Sequence, residues 1–351
     1  MYILMVFLPA LLVVFIARFL YPHDITLKEM GLHFLGAILG TALCFGLMAA
    51  SSAFSSWDYE IRNGYITKKY SKRVSCEHQY KCGETCSTDG KGNRTCIPIY
   101  CDEHSYDMDW RVDTTINSFK IDRVSRQGLK EPPRFTAVKI GEPVADTFST
   151  RNYLLLDKTR FSTTEAVRKQ YANSLPQYPE VFDYHRINRV VNSTDQSFNY
   201  INVWLNDKLR VDAAEKQMNI IVVVTYFPES YYQAVYESWN GGKKNDILLF
   251  YGIDKDRNIK WFRANTFAEG QDNQSMLHKL KVSALDTKIG MDLVQEQYRI
   301  IYKNFKRLPN ETFSYMDNIF DPSVTALVLS MIFNFFISIG LAYFFKKEHV
   351  A

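Results

Sequence analysis

Three stretches of this chain are apolar without the two-residue alternation of a half-buried strand or the polar face of a surface helix. The first runs from Tyr2 to Leu20 and is interrupted only by Pro9 and Arg18. The second runs from Met30 to Phe54, with His33 its one group ionisable near neutral pH, and the third, Val324 to Phe345, carries no charge. At about 1.5 Å per residue, roughly 20 apolar residues cross a hydrocarbon layer of about 30 Å. The pattern therefore predicts transmembrane helices over 1–21, 30–54 and 323–345. No Lys or Arg precedes the first apolar core, as the start of a signal peptide requires, so a helix is expected there rather than a cleaved leader. Gly36, Gly40 and Cys44 recur at four-residue spacing, and Gly36 with Gly40 forms a GxxxG. Such a face lets helix backbones approach closely, and the first or third helix is its expected neighbour. Asn334, midway along the third run, needs a hydrogen-bond partner on another helix.

Between Trp57 and Phe320 the pattern changes to short elements with turn punctuation. The first part, 57–180, reads as β-rich. Its turn signals are Asn63-Gly64, Asp89-Gly90, Pro132-Pro133 and Gly141 to Pro143. Trp110 to Val124 alternates, with Val112, Ile116, Phe119 and Ile121 as apolar members, and a polar helix is expected over 163–173. In the second part, 181–320, Phe198 to Leu205 reads as a strand. Ile220 to Thr225 is an unbroken β-branched run of the kind buried on both faces. A helix over 229–239, strands over 247–253 and 259–262 and a long helix over 282–305 complete it. The fold class is α+β and membrane-anchored: three transmembrane helices, a β-rich subdomain stapled by cysteine and histidine, and a small α/β sandwich subdomain.

Charge bears on orientation and partners. The net charge is +4, too small and too dispersed for a nucleic-acid binder. Arg18, Lys28, Lys346 and Lys347 flank the apolar runs on the short segments, which places those segments in the cytoplasm and the large domain outside it. Arg62, Lys68, Lys69, Lys306 and Arg307 flank them on the domain side. Long domains translocate largely regardless of such charges, so the short segments weigh more. The protein is expected to be multi-pass, with an extracytoplasmic domain. Few charges lie within the apolar runs, which disfavours a channel.

Five of the six cysteines, Cys76, Cys82, Cys86, Cys96 and Cys101, fall within 26 residues, with His78 and His104 beside them. This knuckle, 76–104, is too small to hold itself together by burial. Two chemistries are open. In a reducing compartment a subset of these seven side chains binds structural zinc; in an oxidising one, five cysteines give two disulfides and one left over.

The stretch Trp57 to Gly64, the Cys/His cluster, His104-Ser-Tyr-Asp-Met-Asp-Trp110, Ile121-Asp-Arg-Val-Ser-Arg-Gln-Gly128 and Glu131-Pro-Pro133 together resemble a family of uncharacterised membrane proteins of tailed bacteriophages. That resemblance implies a phage-encoded protein of the host inner membrane, and no activity. Asn219 to Thr225, Tyr232 to Trp239 and Gly241-Gly-Lys-Lys-Asn-Asp246 followed by Ile247-Leu-Leu249 are similar to the TPM domain. This implies a membrane-tethered α/β module, of a kind that includes acid phosphatases and metal binders. Asp246 stands where that pattern has a glycine.

Two functions follow. The domain is either an interaction module, whose partners are the lipid bilayer, a host or viral envelope protein or a second copy of the chain, or a metal-assisted phosphatase. For the first, Tyr226, Phe227, Tyr231 and Tyr232 around Pro228 form a candidate sticky patch. For the second, Asp246, Asp254 and Asp256 are candidate ligands at strand ends. Asp254 to Asn258 equally suits a solvated hairpin turn. His185 and His278 lie near no Ser or Cys motif, and the interaction module is the preferred reading.

Overall fold

The structure is a computed structural model that describes the chain except residues 89, 268–270, 319–321 and 349–351. Two long helices open it, α1 (Tyr2–Leu20) and α2 (Leu27–Ser55). Strands β1 (Trp57–Val74), β2 (Gln79–Thr88), β3 (Arg94–Asp102), β4 (Asp107–Thr114) and β5 (Ser118–Ile121) follow, then helix α3 (Pro133–Ala137) and strand β6 (Pro143–Arg151). Next come α4 (Glu165–Tyr171) and the short strands β7 (Val181–Phe182), β8 (Arg186–Ile187) and β9 (Val190–Asn192). The remainder is α5 (Asn199–Lys216), β10 (Asn219–Thr225), α6 (Ser230–Ser238), β11 (Asp246–Ile253), β12 (Ile259–Thr266), α7 (Gln271–Ser283), α8 (Met291–Asn304) and α9 (Val324–Glu348). The chain divides into two compact units: 1–58 with 150–160 and 309–351, and 59–149 with 161–308.

In the first unit α1, α2 and α9 pack as a bundle, and all three are long and apolar enough to cross a membrane. Leu12, Phe15, Phe19, Leu39, Leu47 and Phe336 point outward and are exposed. The bundle interior is where the polar groups sit. Asn334 Nδ2 donates to Val6 O at 3.1 Å and to Thr41 Oγ1 at 2.9 Å, which ties all three helices at one level. Ser338 Oγ donates to Ala10 O at 2.9 Å and lies 2.8 Å from His33 Nε2. The glycine face of α2 seats against α9: a Cβ at Gly40 would stand 2.3 Å from Asn334 Oδ1, and one at Gly36 2.5 Å from Leu341 Cδ1. Helix α2 begins ahead of its apolar run because Thr26 and Glu29 form a reciprocal capping box.

The second unit holds two four-stranded sheets, ordered β5-β4-β1-β6 and β12-β11-β10-β9. In the first, Ile66, Trp110, Val112, Ile121, Phe135, Val138 and Val144 form the core. The expected alternating strand over 110–124 is a hairpin, β4 to β5, because Thr114 and Asn117 close a tight turn. Asn63-Gly64 lies inside β1 rather than in a turn. A Cβ at Gly64 would stand 2.2 Å from Thr115 Oγ1, so close backbone approach explains that glycine. Asp89 of the expected Asp89-Gly90 turn lies outside the described residues.

The second sheet is the α/β sandwich. Strands β9, β10 and β11 are parallel, and β12 runs antiparallel to β11. Strict alternation divides the sheet. Ile220, Val222, Val224, Ile247, Leu249 and Tyr251 pack on α5, α7 and α8, whereas Ile221, Val223, Leu248 and Phe250 pack on α4 and α6. The strand order advances in one direction from β9 to β11 while the crossover helices α5 and α6 lie on opposite faces. The two crossovers are therefore of opposite hand, and one departs from the right-handed rule. Phe198 to Leu205 is not a strand but opens helix α5. Its buried members Ile201, Leu205, Leu209 and Ala213 recur every four residues, a period the aromatic and β-branched composition of its start conceals. The long helix expected over 282–305 is broken between α7 and α8, with Asp286 at φ +52° in the connection. Helix α4, expected within the β-rich part, packs through Tyr171 on α6 and the second sheet's face, while Tyr178 touches both that cluster and the one around Ile61 and Ala145.

Candidate functional site

Strands β2 and β3 pair as a two-stranded ribbon with nearly every residue solvent-exposed. Such a ribbon is marginal on its own. Two disulfides hold it: Cys82–Cys101 and Cys86–Cys96. The second joins directly opposed residues. The first is reached through a bulge between Lys81 and Gly83, which inserts Cys82 opposite the Ile99–Cys101 stretch. Because side chains alternate, the two bridges lie on opposite faces of the ribbon. A zinc knuckle drawing on Cys82, Cys86, Cys96 and Cys101 is thus replaced by two cross-links, because strand pairing brings those sulfurs together in twos. The ribbon also exposes Tyr80, Ile97, Ile99 and Tyr100, four large apolar side chains in solvent.

At the base of the ribbon three other groups converge. Cys76 precedes β2, His104 follows β3 and Asp107 opens β4. Cys76 carries a free thiol, and its Sγ lies 3.9 Å from His104 Nδ1 and donates to His78 O at 3.2 Å. Asp107 Oδ1 faces the same His104 Nδ1 at 3.3 Å. Asp107 Oδ2 accepts from the Glu77 amide at 2.9 Å and from Arg123 Nη1 at 3.0 Å. Burial works to raise the Asp107 carboxyl, but the Glu77 amide, Arg123 and His104 outweigh it and hold it below the usual range. Asp109, bound by Lys120, Arg123 and Arg111, is held down to about 2 against the same burial. The thiol, the imidazole and the carboxylate lie close enough to share a metal ion. Of the seven expected ligands, Cys76 and His104 are brought together, His78 lines the adjoining cleft, and the other four are in disulfides. Sequence reasoning missed Asp107, although its place three residues after His104 was the available signal.

A second cluster sits where β10 and β11 begin. Asp246 is the first residue of β11, at the amino end of the strand and not at the carboxyl end where such sheets bind ligands. It is fully buried. Its Oδ1 accepts from Asn219 Nδ2 at 2.8 Å, and its Oδ2 accepts from Tyr178 OH at 2.8 Å and Lys243 N at 2.6 Å. Burial pushes its carboxyl up to about 6, against the pull of the Lys243 amide, Asn219 and Tyr178. Burial also pushes the Tyr178 phenol well above its ordinary value, with Asp246 adding to the effect. Gly241 and Gly242, at φ +81° and +89°, form the turn that brings Lys243 N onto the carboxylate. Through Asn219 the cluster continues to Arg189, which is 1% exposed and donates to Asn219, Asn63 and Asn206. Burial draws Arg189 down to about 10, so it stays charged at neutral pH. Asn63 and Asn245 donate from this cluster to Met218 O and Ile61 O, pinning the first sheet to the second. Fully buried and with three protein donors on its two oxygens, Asp246 is closed to a substrate and reads as a structural hub. No motif marks Arg189 or Tyr178 in the sequence.

Asp254 and Asp256 do follow the carboxyl end of β11, in the turn to β12. Asp254 spends its oxygens on that turn, accepting from Asp256 N at 2.9 Å, Asn258 N at 2.8 Å, Asn258 Nδ2 at 2.8 Å and Lys260 Nζ at 2.9 Å. Asn258 and Lys260 hold its carboxyl well below the usual range. This is the hairpin-turn arrangement. The expected aromatic patch is absent: Tyr231 is buried and donates to Ser174 O at 2.8 Å, Phe227 and Tyr232 are half-buried, and Tyr226 alone is exposed. His185 lies on a hairpin apex, where Asp183, Tyr184 and His185 all have positive φ, and its ring packs 4.2 Å from that of Phe119. Comparison with protein-family models, curated proteins and solved structures finds no match for this chain.

Proposed function

We propose that this chain is an integral membrane protein that holds a disulfide-stapled domain outside the cytoplasm and uses the β2–β3 ribbon as a docking element. The observation that carries the reading is the pairing of four clustered cysteines into two bridges across an exposed ribbon. Disulfides persist in oxidising compartments and are rare in the cytosol. The three apolar helices support the anchor, since helices that are apolar all round and uncovered outward suit lipid. The short cytoplasmic flanks then carry Arg18, Lys28, Lys346 and Lys347, as the positive-inside rule asks. Stapled in register, Tyr80, Ile97 and Ile99 share one face of the ribbon and Tyr100 stands on the other, apolar groups whose ordering is complete before a partner arrives, which favours binding. In a phage-encoded protein, the membrane is the host inner membrane and the partner an envelope protein of host or virus. The zinc expected of the cysteine cluster is kept in this reading only at Cys76 and His104. The phosphatase alternative loses its support at Asp246, which is enclosed, and at Asp254, which is spent on its turn.

The test joins topology to docking. A reporter active only outside the cytoplasm, inserted between Gly90 and Gly92, is expected to be active, with the chain retained in carbonate-washed membranes. A photo-crosslinking residue at Ile97 or Tyr100 is expected to give discrete adducts in intact cells that the same residue at Lys260 does not. A chain released by carbonate, or a reporter active only in the cytoplasm, refutes the reading.

A further inference from the structure

We propose that Cys76, His104 and Asp107 form a binding site for one divalent cation of the zinc class, with one coordination position left to water. The inference deepens the zinc expectation above and rests on the disulfide pairing, which removes four cysteines and leaves Cys76 over. The residue types are those zinc prefers: a thiolate, an imidazole and a carboxylate. With metal–ligand distances of about 2.0–2.3 Å and tetrahedral angles, ligand atoms stand about 3.3–3.5 Å apart. His104 Nδ1 and Asp107 Oδ1 stand at 3.3 Å, Cys76 Sγ and His104 Nδ1 at 3.9 Å, and all three ligand atoms lie within 4.8 Å of one another, so a small shift of the Cys76 side chain closes the set.

An independent observation points to the same place. Asp107 is 1% exposed, yet its Oδ1 accepts no hydrogen bond while its Oδ2 is held by Glu77 and Arg123. A buried carboxylate oxygen without a donor is rare, and this one is aimed at the thiol and the ring. The carboxyl packs directly on Gly128, where any Cβ would collide with it, so that residue must be glycine for Asp107 to sit here. The grouping is not a nucleophile relay. A Cys–His–Asp relay uses both ring nitrogens, one for the nucleophile and one for the carboxylate, and here both approach Nδ1. Charge balances, because thiolate and carboxylate together match a divalent ion and His104 binds neutral. Coordination releases the Cys76 thiol proton to solvent and ends its contact with His78 O. The ion clamps the two ends of the ribbon to the first residue of β4, where Asp107 also lines a cleft with His78, Lys120 and Arg123.

The full-length chain, purified in detergent without reductant and dialysed against zinc, is expected to hold about one ion per chain. Replacement by cobalt is expected to give the near-ultraviolet absorption of a thiolate–cobalt bond. Cys76→Ser should lower the bound metal to under about a tenth of an ion and abolish that band, with both disulfides intact by non-reducing mass spectrometry. Asp107→Asn should lower the content similarly. His78→Ala should leave it unchanged. Should Asp107→Asn fail to fold, Cys76→Ser and the cobalt spectrum decide alone. A wild-type chain that stays metal-free, or a Cys76→Ser chain that binds like wild type, overturns the site. Metal content is read independently of carbonate extraction and reporter activity, so either proposal can fall while the other stands.

Discussion

The buried carboxyl of Asp246 makes the stability of the second unit depend on pH in an unusual direction. An ordinary aspartate titrates near 3.9 in an unfolded chain, and in the fold burial pushes Asp246 up to about 6. Between those values the folded state binds a proton that the unfolded state has lost, so folding is favoured by acid across this window. The penalty is absent below about pH 3.9 and complete above about pH 6. Its size is about 3 kcal/mol, at 1.36 kcal/mol for each tenfold change in proton affinity. Other groups titrate over the same range, so wild type is compared with Asp246→Asn, which keeps the shape and cannot ionise. The variant leaves the Lys243 amide facing a donor and is less stable at every pH. Its value is the difference curve. From pH 4 to pH 7 the stability of wild type relative to Asp246→Asn should fall by up to about 3 kcal/mol, or about 6–12 °C in Tm for a unit of this size. Thermal unfolding of the detergent-solubilised chain by intrinsic fluorescence measures it, with Trp239 reporting locally because its ring stands 5.4 Å edge-on from Tyr178. A flat difference refutes the reasoning. A difference that rises with pH shows that Asn219, Tyr178, Lys243 and the Arg189 charge outweigh burial.

Arg189→Leu should destabilise the same unit by about 3–5 kcal/mol, because it leaves the side-chain oxygens of Asn63, Asn206 and Asn219 without their charged donor and removes one of the cations near the buried Asp246; urea unfolding followed by circular dichroism checks this, and a loss below about 1 kcal/mol contradicts the hub. In the helical unit, Gly40→Ala should weaken the bundle more than Gly46→Ala. A Cβ at Gly40 meets Asn334 Oδ1 at 2.3 Å, whereas at Gly46 nothing lies within 4 Å, and equal losses by steric trapping in bicelles would count against the packing. Asn334→Leu should cost about 1 kcal/mol in the same assay, the usual worth of an interhelical hydrogen bond in lipid. Cys86→Ser with Cys96→Ser should raise hydrogen exchange across 79–102, by the equivalent of about 3 kcal/mol for a loop of this length. Amides of β10 and β11 should keep their protection, and loss of protection there would mean the ribbon is integral to the core.

The apolar runs were legible because a helix apolar on every side is a property of composition and length, needing no knowledge of neighbours. The same holds for Ile220 to Thr225 and Ile247 to Ile253, which no solvated element tolerates, and for the Asp254 to Asn258 turn, where side chains bond their own backbone. Helix α5 was misread because its first residues have strand-like composition, and its four-residue period shows only over the whole element. Asn63-Gly64 differs from its expected turn because the dipeptide suits both a turn and a close backbone approach, and Thr115, distant in the chain, decides between them.

Sequence alone thus determined local matters: where the chain is greasy, where it turns, that five cysteines share one segment, and that Asn334 needs a partner. Tertiary structure alone decided which cysteines pair, because pairing depends on strand register and on the bulge at Cys82. It also decided that Cys76 is left beside His104 and Asp107, and that Asp246 is shut beneath the sheet with Arg189 instead of standing at its open end. Hydrophobicity and backbone preference are written residue by residue. The protonation and accessibility of a polar side chain depend on groups brought in from distant parts of the chain, and only the folded arrangement specifies those.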